Sequence, residues 1–237
     1  MALALLKSEL IPVVKSPRAS RLRVFDASAS HAEARGRVPR AETDGFSILE
    51  IIVVCGIIGV IAAIAAPLFG NAIANFRLSG DARGVSNNAA VAKMRAASDF
   101  SRVRLYVDLA AKTHRIQTFD KTSTICCWIT QGGTTALSTG VSFGYGVVTT
   151  PPPNTQGTIG QAPLCTDDMG ADILNTACIM FNSRGVPITN GPSFAPTGID
   201  AVYVTDGTAV YGVTVAATGL LRMWRTLPVA IPLWVRN

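Results

Sequence analysis

The sequence predicts an α+β chain, with one long N-terminal hydrophobic helix followed by a head built on an antiparallel β-sheet. Three observations predict it. Residues 46–69 are apolar apart from Ser47 and Glu50. Apolar residues at helical spacing continue beyond that run to about residue 99. After Ser101 the apolar period drops to two, and turn dipeptides punctuate the rest.

Composition narrows the classes of function. The chain has 237 residues, 49% hydrophobic and 15% charged. That charged share is well below the ~25% of ordinary soluble domains and excludes a wholly disordered chain. The formal net charge of +6 is split evenly: residues 1–45 hold eight Lys/Arg and five Asp/Glu, and the remainder thirteen and ten. A surplus of three charges over 192 residues is a small footprint for nucleic acid, which needs several clustered phosphate contacts. Two histidines occur, and His31 lies in the first segment, so His114 stands alone in the body of the chain. No nucleophile motif, Walker loop or zinc spacing appears. Neither enzymatic activity nor a cofactor nor a metal site is expected.

Residues 1–45 are rich in Arg, Ala and Ser without a sustained apolar period, which reads as a poorly ordered cytoplasmic leader. The apolar run is long enough for a membrane helix of ~20 residues. Arg35, Arg37 and Arg40 precede it and favour an N-terminus in the cytoplasm. Past the run, Ile73, Phe76, Val85, Val91, Met94 and Phe100 recur at roughly helical spacing. One helix is therefore expected from about 47 to about 99, kinked near Pro67, with Gly80–Gly84 as a candidate interruption.

"SRVRLYVDLAAKTHRIQTFD" alternates, with Val103, Leu105, Val107 and Leu109 on one face and Arg102, Arg104, Tyr106 and Asp108 on the other. It reads as a hairpin turning near Ala110–Thr113. "STICCWIT" reads as a further strand, and 131–176 as a long loop region with a short strand at Val141–Val148. "CIMFNSRGVPI" gives a strand, a turn at Ser183–Gly185 and a continuation. "AVYVTDG", "TAVYGVTVA" and "GLLRMWRTL" give three strands joined at Asp206–Gly207 and Ala217–Gly219.

Glu50 is the discordant residue, since a carboxylate in lipid costs roughly 2.5–3.5 kcal/mol on insertion scales. Gly45-Phe46-Ser47-Ile48-Leu49-Glu50, followed by some 20 apolar residues, resembles the class III signal of type IV pilins and type II secretion pseudopilins. That resemblance implies cleavage between Gly45 and Phe46 by a prepilin peptidase and N-methylation of Phe46. It also implies that Glu50 pairs in a filament with the N-terminal amine of a neighbouring subunit or of its own chain, and that Pro67 kinks the helix. A buried carboxylate needs such a partner. Downstream, "CIMFNSRGVPITNG" and "AVYVTDGTAVYGVTVAATGLLRMW" are similar to the GspH/FimT family of minor pseudopilins and minor pilins. Phe181 and Gly185 match its turn, and Gly219 and Arg222 its ending.

The resemblance thus implies a pilin-like fold and three parts: a leader over 1–45 that is removed, a transmembrane and filament-core helix over 46–99, and a periplasmic β-rich head over 100–237. The chain would be a structural subunit, placed at the tip of a type IV pilus or a type II secretion pseudopilus. Its partners would be the peptidase, other pilins or pseudopilins and the inner membrane. A membrane-anchored binding protein that never polymerises is the alternative of a different class.

Weaker signals are weighed beside these. Cys126, Cys127, Cys165 and Cys178 allow a disulfide in an oxidising compartment, and bridges from the adjacent pair or a Cys165–Cys178 bond all remain open. Cys55 reads as an apolar filler. Some FimT-type minor pilins bind DNA through C-terminal basic residues, so the resemblance makes Arg222, Trp224 and Arg225 candidate nucleic-acid contacts. Arg102 and Arg104 are a candidate extension of that patch. The plainer reading is a solvated strand face with Leu221 and Met223 turned inward. His114 is expected on the hairpin surface. Asp167, Asp168 and Asp172 lack a calcium-loop spacing.

Overall fold

The computed structural model describes residues 45–122, 127–191 and 193–237, apart from the side chains of Pro67, Leu68 and Asn71. The expected leader over 1–44 and the first part of "STICCWIT", with Cys126, lie outside the described residues. Contacts divide the chain at Ser47. Of the first unit, Gly45, Phe46 and Ser47 are described; they are exposed and outside regular secondary structure.

The second unit opens with α1, Ile48–Ser98, 51 residues long. Glu50 in its first turn and Arg95 in its last each complement the helix dipole. The helix is continuous through Pro67 and across Gly80–Gly84, so the candidate interruption does not occur. It ends where Phe100 enters the left-handed region (φ 47) and Ser101 N–H donates to Ala96 O.

The β elements are β1 (Val103–Asp108), β2 (Thr113–Phe119), β3 (Trp128–Ala136), β4 (Ser142–Phe143), β5 (Cys165–Thr166) and β6 (Asp172–Ile173). They continue with β7 (Thr176–Phe181), β8 (Pro187–Ile188), β9 (Ala201–Thr205), β10 (Val210–Val215), β11 (Leu221–Thr226) and β12 (Val235–Arg236). The sequence predicts one antiparallel sheet; these strands sort into two five-stranded antiparallel sheets, β3-β2-β1-β7-β8 and β12-β11-β10-β9-β4, plus the ribbon β5-β6. The expected hairpin is present, with Val103 opposite Thr118 and Asp108 opposite Thr113. The 131–176 segment is less irregular than expected: β3 runs on through Gly132, at φ 77, to Ala136, whereas the strand at Val141–Val148 shrinks to two residues.

The C-terminal half of α1 lies against strands of both sheets. Leu78, Ala82, Val85, Ala89, Ala92 and Ala96 alternate four and three residues apart, and none has any exposed surface. Four of the six are alanine, which lets both sheets come close to the helix axis. The larger residues that carry the helical spacing in the sequence mostly face away: Ile73, Phe76, Met94 and Phe100 are all exposed. The core between helix and sheets takes Val103, Leu105, Val107, Ile179, Phe181, Val202, Val204 and Val213. A second cluster on the far side of the β9–β11 sheet gathers Tyr203, Val148, Ile159, Ala201 and Val210.

Strand β1 is buried on both faces. Arg104 and Tyr106, expected on an outer face, are only 2% and 6% exposed. The reason is the β5–β6 ribbon, tied to β7 by a Cys165–Cys178 disulfide, whose sulfurs pack against Tyr106.

Candidate functional site

The N-terminal half of α1 is uncovered by the head. Ile48–Ala66 is apolar and long enough to cross a membrane by length and composition, and none of it is buried. Nineteen residues at 1.5 Å rise span ~28 Å, close to the ~30 Å hydrocarbon core. Ile48, Leu49, Ile51, Ile52, Val53, Val54, Ile57, Ile58, Val60, Ile61 and Ile64 are all about half exposed or more. Each such side chain gains roughly 1.5–3 kcal/mol when fully withdrawn from water, so an apolar surround is favourable for this surface. Glu50 sits in the first turn, at the end of the apolar stretch rather than its middle. Its carboxylate is thus at the positive end of the helix dipole, where an anion is favoured. Gly45 and Phe46 precede the helix and are exposed, with Phe46 at 78%. Pro67 lies within α1, one residue past the stretch. Cys55 is exposed on it, a free thiol.

The C-terminal candidates do not form one patch. Trp224 lies opposite Arg236 in the β11–β12 pairing, so these two share a face with Arg222. Trp224 is itself 8% exposed, and its indole N–H donates to Thr214 Oγ1 at 2.9 Å. Buried and bonded, the ring has little surface left on which a base could stack. Arg225 projects from the other face, 5.9 Å from the Tyr211 ring. Leu221 and Met223 are half-buried against the core, as the plainer reading has it.

Arg102 and Arg104 do not extend that patch, because Arg104 lies in a strand of the other sheet, Arg102 directly precedes that strand, and both are engaged there. The Arg102 guanidinium lies between the rings of Phe119 (3.9 Å) and Phe194 (4.1 Å). Arg104 donates to Gln117 Oε1 (2.9 Å) and Thr166 O (2.7 Å) and stacks on Trp128 at 3.8 Å. Burial brings its pKa down to about 10, still far above any physiological pH. Alternation alone places Arg104 outward; what it cannot show is that the ribbon folds over that face and turns a surface cation into a pinned one.

His114 corrects a second expectation. It is 1% exposed, facing α1 at Gly84 and meeting Phe143 edge-on at 6.4 Å. Burial holds its imidazole below the ordinary histidine range, and Asp81 acts in the opposite direction. The acidic loop is committed to backbone: Asp167 Oδ1 accepts from Met169 and Ala171, and Asp168 Oδ1 from Cys127 and Trp128. Among the cysteines, Cys165 and Cys178 are bonded and Cys127 is a free thiol.

No contact in the sequence announces how the two glycine turns meet. Lys93 Nζ donates to Gly219 O at 2.9 Å, and its methylenes lie where a side chain on Gly185 would sit. The resemblance singles out both glycines, yet only the fold brings the turns after β7 and β10 together on α1.

No protein-family model and no curated protein matches the chain. Two solved structures of the minor pseudopilin EpsH from the type II secretion system of Vibrio cholerae are similar to it. One covers 62% of this chain and 95% of its own at 11% identity, with a TM-score of 0.38. The other covers 66% and 95% at 12% identity, with a TM-score of 0.37.

Proposed function

We propose that the chain is the precursor of a minor pilin or pseudopilin, a structural subunit and not a catalyst. The observation that carries the reading is the division of α1. Its first half is apolar and bare over Ile48–Ala66, and its second half is clamped by two sheets from Leu78 onward. One rigid element therefore joins a lipid-soluble rod to a folded head. A prepilin peptidase releases residues 1–45 and methylates Phe46. The helix first holds the subunit in the inner membrane, with the head in the periplasm. On assembly its apolar surface moves from lipid to neighbouring helices, and Glu50 meets an N-terminal amine. The Cys165–Cys178 bond suits an oxidising compartment. A tip position, and the choice between a type IV pilus and a secretion pseudopilus, belong to the same proposal; neighbouring genes separate the two systems. A DNA-uptake role at Arg222 and Arg225 draws no support from a buried Trp224.

The test is intact mass and N-terminal sequencing after co-expression with a prepilin peptidase. The expected product begins at N-methylated Phe46, is lost in Gly45→Ala and is retained in Glu50→Ala, which fails instead in assembly. An uncut chain overturns the reading and leaves a membrane-anchored protein that does not polymerise.

A further inference from the structure

His114 is a titratable side chain sealed inside the head. Neither Nδ1 nor Nε2 has a hydrogen-bond partner, although a neutral imidazole offers one donor and one acceptor. The ring is 1% exposed. Strand β1 places Val107 opposite it and β3 places Thr135 opposite it, β4 contributes Phe143, and α1 passes at Gly84, one turn after Asp81. Of these groups only Asp81 is charged, and its charge favours a proton on the ring.

Asp81 already has work elsewhere. Ser138 donates to it twice, from N–H to Oδ2 at 2.8 Å and from Oγ to Oδ1 at 3.1 Å. Ser138 lies in the link between β3 and β4, which carries the chain from the first sheet to the second. The link turns at once, with Val141 N–H donating to Ser138 O at 3.0 Å, and Val141 enters the core at 2% exposure. The carboxylate that pins the crossing between sheets is therefore also a charge that acts on the buried ring, one helical turn before Gly84.

We propose that His114 and Asp81 form a proton-operated latch on the Ser138 link between the two sheets. With the ring neutral, Asp81 holds Ser138 and the link is closed. A proton taken from solvent gives the imidazolium a second N–H donor and a full charge in a dry site. An unpaired buried cation is costlier than a lost serine hydrogen bond. Asp81 accordingly turns from Ser138 to the ring, and the link is released. Burial makes the ring resist protonation, so the latch is closed at neutral pH and opens on acidification. This stands apart from the filament reading: it needs only a head exposed to a changing external pH.

The experiment is an NMR titration of the full chain in detergent micelles, with labelled His and Ser, between about pH 8 and pH 5. His114 is expected to titrate below 6.5, with the Ser138 amide shifting at the same midpoint. Protection of that amide from exchange, corrected for its intrinsic rate, falls by up to about tenfold per unit of His114 displacement. In Asp81→Asn the Ser138 amide no longer follows the histidine, and in His114→Phe it no longer responds to pH. A His114 that titrates while Ser138 stays still, a His114 that never titrates in this range, or a Ser138 response that survives in His114→Phe overturns the latch. If His114→Phe does not fold, the wild-type and Asp81→Asn titrations decide alone.

Discussion

Replacing Gly219 by alanine should destabilise the head by about 2–5 kcal/mol, and the structure divides that cost into two parts. Gly219 has φ 75, a left-handed conformation that costs an L-residue about 1–2 kcal/mol. Its Cβ would also stand 2.3 Å from Gly185 O and 3.2 Å from Lys93 Cε. Gly185 O is backbone, fixed in a turn that itself sits at φ 72, so the two turns must part; overpacking of this kind costs about 1–3 kcal/mol. Gly185→Ala is the internal control. Its Cβ would meet methylenes of Lys93 at 3.1 Å, the flexible part of a side chain, so a few tenths of an ångström of give that keeps Nζ on Gly219 O leaves mainly the backbone cost of about 1–2 kcal/mol. Thermal and urea unfolding of the detergent-solubilised chain, followed by tryptophan fluorescence, measures both. At about 2–4 °C per kcal/mol for a domain of this size, Gly219→Ala should melt roughly 10 °C lower, and further down than Gly185→Ala. If Gly219→Ala falls within about 0.5 kcal/mol of wild type, or the order of the two variants inverts, the turns do not brace each other through Lys93.

Three further outcomes are expected. Peptide mapping without reduction should recover Cys165 linked to Cys178; the double serine variant should lose about 3 kcal/mol, as expected for a 13-residue separation, and a bridge to Cys127 would refute the assignment. Asp200 is buried and its carboxyl is raised to about 6, so its contribution to stability is present below about pH 3.8 and lost as pH rises through 6. Asp200→Asn should therefore be about 2–3 kcal/mol more stable than wild type in urea melts at neutral pH and no more stable below pH 3.8; equal stability at both refutes the burial argument. Arg104→Lys keeps the charge but cannot reach Gln117, Thr166 and the Trp128 face together, and should cost about 1.5–3 kcal/mol with faster hydrogen exchange in β5; exchange unchanged there would show that Arg104 does not pin the ribbon.

The sequence is most legible where local periodicity and local function coincide. An apolar run, a switch to alternation at Val103 and Gly turns at 185, 207 and 219 each state their element without reference to the rest of the chain. It is least legible where a second layer covers a first. Alternation in β1 sends Arg104 and Tyr106 outward, but a ribbon some 60 residues later in the chain closes over them. His114 reads as a hairpin residue because nothing near it in sequence reveals that α1 passes across its face.

By itself the sequence determined the fold class and the apolar stretch that opens the helix. The length and polarity of Ile48–Ala66 make it long and apolar enough to cross a membrane whatever the head does, and the placement of Glu50 at the edge of that stretch follows from chain order. Only the tertiary structure decided which helix face is the inner one, because two sheets closing on one helix select alanine over the larger Ile73, Phe76 and Met94. It also decided that the strands form two sheets and that Asp81 holds the serine link that joins them. Such pairings join residues far apart in the chain, and contacts of that range leave no periodic mark in the sequence.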